Sequence, residues 1–273
     1  MEKATIHEYV IPFKDIERKI IYHFSDSHLT EYDSLSSDEE IAKAKKMTEA
    51  WEGVRKGFCD AYGEEYGELQ KQSPRTHFQN LIEASENGDA LVLAGDTLDY
   101  VSGANVRLFD ACMSGYRKPY IAVCGNHEPT KDIPDGFLYS SAKKPIQTIE
   151  LDDMIIVGLE NAKREIVREQ LDALKTLLSG SKPLLIAMHV PIMTDGNRER
   201  LEKSGVYFQL NYDGCPDTNI ELIELISNNA ERIIAVLAGH LHYSDVSEVA
   251  NGVTQYVTSQ GITGNINRYI IGE

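Results

Sequence analysis

Short apolar runs alternate with longer amphipathic stretches along this chain. The runs at 19–24, 90–94, 120–124, 154–159, 184–188 and 233–238 are rich in Ile, Val and Leu. Each has the length of a strand buried on both faces. Two further strand-like runs lie at 253–258 and 269–271. Helical periodicity fills several of the gaps. Over 36–62, Ile41, Ala44, Met47, Trp51, Val54, Phe58 and Tyr62 recur at steps of three and four, and Ser36 with Glu39 is suited to a capping box. Ser73-Pro74 predicts a second helix that stops near Gly88, with Phe78, Leu81 and Ile82 on its apolar side. Further helices are predicted over 105–112, 165–178 and 218–228. Strands alternating with helices predict an α/β layered fold. The absence of repeats and of a Pro/Gly-rich linker predicts one domain over 1–273, with insertions.

Polar residues cluster where the apolar runs end. Ser25-Asp26-Ser27-His28 follows the first run, Gly95-Asp96-Thr97-Leu98-Asp99 the second and Gly125-Asn126-His127-Glu128 the third. His189-Val190-Pro191 and Gly239-His240-Leu241-His242 follow two later ones. Ligands of α/β sheets bind at the carboxyl ends of the strands, so these five segments predict one shared rim. Asp26, His28, Asp96, Asn126, His189, His240 and His242 suit divalent transition ions better than calcium. One four-ligand site leaves three of the seven unused. Two ions sharing a carboxylate use them all. Taken singly, each motif also reads as a cap, a turn or a core histidine; taken together and in order, they read as a metal centre.

The chain has 273 residues, and 27 basic against 43 acidic side chains give a net charge of −16. Extended nucleic acid and anionic membrane surfaces are poor partners for such a chain. Eleven acidic and five basic residues fall between Glu31 and Glu68, so −6 of the charge lies there. Cys59, Cys112, Cys124 and Cys215 have neither CxxC nor zinc-finger spacing. Residues 1–13 lack the apolar stretch of a signal peptide, and no run reaches the roughly 18 apolar residues of a spanning helix. A soluble, cytoplasmic protein is expected.

The ordered motifs DSH, GDTLD, GNHE, the lone His189 and GHLH, spanning Ser25 to His242, resemble the signature of the calcineurin-like metallophosphoesterase superfamily. The resemblance implies two facing mixed β-sheets flanked by helices, a four-layer α/β/β/α sandwich with a dinuclear metal site at the strand ends. It implies Asp26, His28 and His242 on one ion and Asn126, His189 and His240 on the other, with Asp96 bridging. The ions expected are Mn, Fe, Zn, Ni or Co. It implies His127 as the catalytic histidine that meets the phosphate with Asn126 and protonates the leaving oxygen, with Asp99 orienting it. Two divalent ions, the two aspartates and a bridging hydroxide sum to +1, enough to draw in a phosphate ester. In-line attack by that hydroxide is the expected chemistry.

Departures narrow the branch. Tyr100 and Val101 follow Asp99, unlike the Arg-Gly of the Ser/Thr protein phosphatases. Asp99 itself stands where purple acid phosphatases carry a ligand tyrosine. A small soluble phosphate mono- or diester is the expected substrate. The alternatives are a nuclease-type phosphodiesterase and a catalytically silent metal-binding scaffold. Two insertions are expected to set specificity, a helical one at about 31–88 and a loop at about 194–217. The apolar stripe of the first predicts helices that cover the sheet, the alternative being a helix over the site. In the second, Arg198, Arg200, Lys203, Tyr207, Phe208 and Tyr212 read equally as a substrate clamp and as a solvated loop.

Overall fold

The structure is a computed structural model that describes residues 3–63, 65–204 and 208–273. The first half of the chain runs β1 (Thr5–Ile11), β2 (Lys19–Phe24), α1 (Asp38–Tyr62), α2 (Pro74–Ser85), β3 (Ala90–Ala94), α3 (Gly103–Met113) and β4 (Tyr120–Val123). The second runs β5 (Ile146–Glu150), β6 (Ile155–Leu159), α4 (Arg168–Ser179), β7 (Leu184–Ala187), α5 (Arg198–Ser204), α6 (Asp217–Asn228), β8 (Ile233–Ala238), β9 (Asp245–Ala250), β10 (Val253–Val257) and β11 (Asn265–Ile271). Five strands form one mixed sheet in the order β1-β11-β2-β3-β4, and six form the other in the order β5-β6-β7-β8-β10-β9.

Strand alternation builds the layers. Along β3, Ala90, Val92 and Ala94 face the second sheet, whose Leu185, Ala187, Ala235 and Leu237 meet them. The intervening Leu91 and Leu93 face outward onto Phe78 and Leu81 of α2 and Phe109 of α3. The second sheet repeats the arrangement, with Val157, Ile186 and Val236 packed against Leu171 and Leu174 of α4 and Leu222 of α6. The fold is thus the expected α/β/β/α sandwich. Strands β2, β3 and β4 run parallel, as do β6, β7 and β8. Their carboxyl ends therefore gather on one rim.

Local chemistry corrects several expectations. The box that starts α1 is Ser37 with Glu40, one residue later than Ser36 with Glu39: Glu40 N–H donates to Ser37 Oγ at 3.2 Å and Ser37 N–H to the Glu40 carboxylate at 2.7 Å. Ser36 is instead occupied in a turn with Asp33. The second insertion is not a plain loop, because α5 lies within it. Strands β1, β5 and β9, which the apolar runs did not predict, are edge or near-solvent strands with alternating exposure.

Gly158 of β6 sits tightly against β4 of the other sheet. A Cβ there would lie 2.5 Å from Ile121 Cγ2 and 3.0 Å from Val123 Cγ1 of β4. Gly158→Ala is expected to cost about 1–3 kcal/mol through overpacking. Urea unfolding of the two proteins checks this, and equal midpoints would show that the sheets accommodate the methyl.

Candidate metal centre

Each motif sits on the turn that follows a strand of the rim. The turns are strained. Asp26, His28, Asp96, His240 and His242 all have positive φ, between 43° and 72°. They are five of the eight non-glycine residues with positive φ among the described residues. Such conformations persist only where the surroundings over-determine them. The turns brace one another: Asp26 N–H donates to Gly95 O, His28 N–H to Asp96 O and Gly239 N–H to His189 O, each at 3.0 Å. Gly125 lies so close to Asp96 that a Cβ would overlap the carboxylate, and Gly239 stands likewise against Ser25.

The side chains converge in three groups whose ligating atoms lie within 4.8 Å of one another: Asp26, His28 and His242; Asp96, His189 and His240; and His28, Asp99 and His127. In the first, His28 Nε2 lies 3.2 Å from His242 Nε2 and 3.9 Å from Asp26 Oδ1, and His242 Nε2 lies 3.3 Å from the same oxygen. Burial holds the His28 pKa below its ordinary value. With His28 Nδ1 directed 3.4 Å to Asp99 Oδ1, an Nε2 lone pair faces the spot. In the second, His189 Nδ1 lies 2.8 Å from Ala94 O and must donate to it. Its Nε2 then faces Asn126 Oδ1 at 3.1 Å and Asp96 Oδ2 at 3.3 Å. The structure thus brings Asn126 beside His189.

These are acceptors pointed at acceptors. Asp26 and Asp96 are buried, and no Lys or Arg pairs with either among the described residues. Burial would raise the Asp26 carboxyl, but the imidazoles of His242, His189 and His28 hold it well below the usual range. Burial would likewise lower His189, yet Asp96 and Asp26 raise it to about 9. Asp26 Oδ1 and both ring nitrogens of His240 have no hydrogen-bond partner. Buried polar atoms without partners are costly, and the donor set fits divalent cations.

His127 lies at the edge of this ground. Its Nδ1 is 2.9 Å from the Asp99 carbonyl oxygen and 3.2 Å from Asp99 Oδ1. A carbonyl only accepts, so Nδ1 carries a proton and Nε2 is turned away from Asp99. Burial would lower His127, but Asp99 and Asp96 raise it to about 9. The Asp99 carboxyl sits below its usual range, because the bonds from His127 and His28 outweigh its burial.

Four participants escaped the sequence reading. Asn161, fully buried, accepts from His189 N–H at 3.0 Å and Val190 N–H at 2.9 Å and so fixes the His189 turn. It lies on a different loop with no local signal. Glu128 stood inside GNHE but had no assigned role. Its buried carboxylate accepts from Leu98 N–H at 2.5 Å and Gly125 N–H at 2.8 Å, tying two of the turns together. Burial, then the Asp96 charge, raises it to about 7. Trp51 and Phe58 were read as part of a stripe covering the sheet. No residue of α1 enters the three core clusters. The helix lies over the rim instead, with Trp51 4.1 Å from the His28 ring and Phe58 4.9 Å from that of His242.

The second insertion reaches the site through Phe208, whose ring lies 4.6 Å from His240. Arg164, from another loop, sits over Phe208 at 4.9 Å and Tyr212 at 3.9 Å. Arg198 and Arg200 lie on α5, where Arg198 Nη1 meets Met193 Sδ at 3.6 Å and Arg200 Nη1 donates to Ser244 O at 2.7 Å. Lys203 pairs with Glu199 at the surface. Tyr207 lies outside the described residues.

Comparison with known proteins bears on the fold and the family. A dimetal phosphatase from Danio rerio is similar at a TM-score of 0.58 and 11% identity, over 90% of this chain and 88% of that one. A purple acid phosphatase from yellow lupin seeds gives a TM-score of 0.48 at 15% identity, over 93% of this chain and 44% of that one. A phosphopantetheinyl hydrolase from Mycobacterium tuberculosis gives 0.42 at 11% identity, over 89% and 90%. No curated protein matches the sequence. At 11% identity the likeness to the dimetal phosphatase speaks for the fold alone. The model of the calcineurin-like phosphoesterases, in contrast, matches residues 20–244. With the match running from the second residue of β2 to just past His242, the chain belongs to the calcineurin-like phosphoesterase family and is a hydrolase of phosphate ester bonds.

Proposed function

We propose that the protein hydrolyses a small soluble phosphate mono- or diester at a centre of two divalent transition-metal ions. The observation that carries this reading is the pair of acceptor groups built on buried Asp26, His28 and His242 and on buried Asp96 and His189, the second completed by half-buried His240 and exposed Asn126, with no Lys or Arg partner among the described residues. The first three would hold one ion, Asn126, His189 and His240 would hold the other, and Asp96 would serve both. Ions of this kind supply, when bound, a water of lowered pKa as nucleophile and positive charge for the phosphoryl oxygens.

The chain's own residues do the rest. Asn126 turns Oδ1 toward His189, which leaves its Nδ2–H₂ to donate to a phosphoryl oxygen. His127, 36% exposed at its side chain, presents Nε2 to the cleft with Nδ1 held by Asp99. Its cationic form gives the Nε2 proton to the leaving oxygen. The net charge of −16 supports a small ester over a long polyanion. Cytoplasmic residence belongs to the same reading, since all four cysteines are free. Among the described residues no helix is long and apolar enough to cross a membrane.

Two expectations follow from these assignments. Metal-free protein supplied separately with Mn, Fe, Zn, Ni and Co regains turnover of p-nitrophenyl phosphate or its bis-ester with at least one of them. Restoration by none removes the proposal. His127→Ala keeps its metal but loses about 10²–10⁴-fold in kcat on alkyl esters, whose leaving groups need a proton, and much less on p-nitrophenyl esters. Equal turnover of alkyl esters by variant and parent takes His127 out of the chemistry.

A further inference from the structure

We propose that Trp51, carried by the inserted helix α1, is a positioning residue that fixes the Asp99 carboxylate between His28 and His127. The proposal rests on the metal centre and on the role of His127 given above. Asp99 Oδ1 lies 2.9 Å from Trp51 Nε1, 3.2 Å from His127 Nδ1 and 3.4 Å from His28 Nδ1. Three ring nitrogens from three separate parts of the chain thus face one oxygen; Trp51 Nε1 donates a hydrogen bond to it, while His127 Nδ1 also bonds the Asp99 carbonyl oxygen at 2.9 Å. The indole makes the shortest of the three contacts. It is also a donor in every protonation state, whereas the imidazoles titrate. It therefore sets where Oδ1 points, and Oδ1 in turn sets the rings of both histidines.

The same indole also lies against the imidazoles. Its ring stands 4.1 Å from that of His28 and stacks on that of His242 at 5.6 Å and 17°. Hydrogen bond and stacking act on one set of side chains and can be separated, because phenylalanine keeps a ring and lacks the N–H. The helix that carries Trp51 is itself anchored. Arg55, buried in α1, donates to Gln72 O at 2.7 Å, and Thr48 Oγ1 bonds Thr30 Oγ1 at 2.8 Å. An element outside both sheets thereby completes the orientation of the site.

The test uses the full chain and Trp51→Phe. Direct outer partners of metal ligands are worth about 10–100-fold in affinity or activity, and Trp51 stands one bond further out. Nickel titration of metal-free protein by calorimetry is expected to show affinity weakened by roughly 3–10-fold. In the metal-loaded enzyme, kcat on an alkyl phosphate is expected to fall by roughly 10-fold with KM little changed, and by less on p-nitrophenyl phosphate. In an Asp99→Ala background, which removes the oxygen that Trp51 bonds, Trp51→Phe is expected to add nothing, since both act through one carboxylate. Trp51→Phe that matches the parent in both affinity and kcat overturns the proposal, as packing alone survives the change. So does a full-sized further loss in the Asp99→Ala background. If His127→Ala spares alkyl esters while Trp51→Phe still weakens nickel binding, the role of His127 fails and that of Trp51 stands through His28.

Discussion

Two buried carboxylates without a Lys or Arg partner among the described residues govern this structure. Asp26 and Asp96 are at most 1% exposed, and what surrounds them is imidazole and amide. Burying an unpaired charge costs several kcal/mol even after relaxation. The chain accepts this for both carboxylates at one rim, where the parallel strands of both sheets end. The sandwich is the scaffold that makes it tolerable, because Ala90, Val92, Leu185 and Leu237 form a dry wall behind the site. Glu128 and Asn161 contribute to the same end, each spending a buried polar group on holding the turns.

The turns carry their own cost. A left-handed conformation disfavours an L-residue by roughly 1–2 kcal/mol, and five site residues adopt it. The strain points Asp26, His28, Asp96, His240 and His242 inward from chain ends that would otherwise diverge. The cross-braces between turns hold it in place, among them Gly261 N–H to Ser25 O at 2.8 Å and Ile262 N–H to Asp26 O at 2.9 Å. The catalytic geometry is therefore a property of several turns acting together.

Much of this was legible in the sequence, and what was not has physical causes. Strands β2, β3 and β8 match their apolar runs because nearly every residue is buried, which leaves a continuous signal. Strands β1, β5 and β9 alternate with charged or polar residues such as Glu8, Gln147 and Glu248, so no run formed. The site residues were readable because each motif abuts a strand end. Trp51 was not, because a helical stripe has the same spacing whether it covers a sheet or a metal site. Asn161 was not, because its partners lie 28 and 29 positions away.

The acidity of the chain fits the same account. The stretch from Glu31 to Glu68, with its excess of acidic side chains, lies largely on and beside α1, the helix that roofs the site. A small anion drawn to the centre must be attracted by charge inside the rim and not by the surface around it. The central claim is that this charge comes from two ions flanking Asp96, and anomalous scattering from crystals grown with manganese tests it most directly. Two peaks are expected, one among Asp26, His28 and His242 and one among Asn126, His189 and His240, with Asp96 between them. A single peak, or manganese bound away from Asp96, would contradict the account.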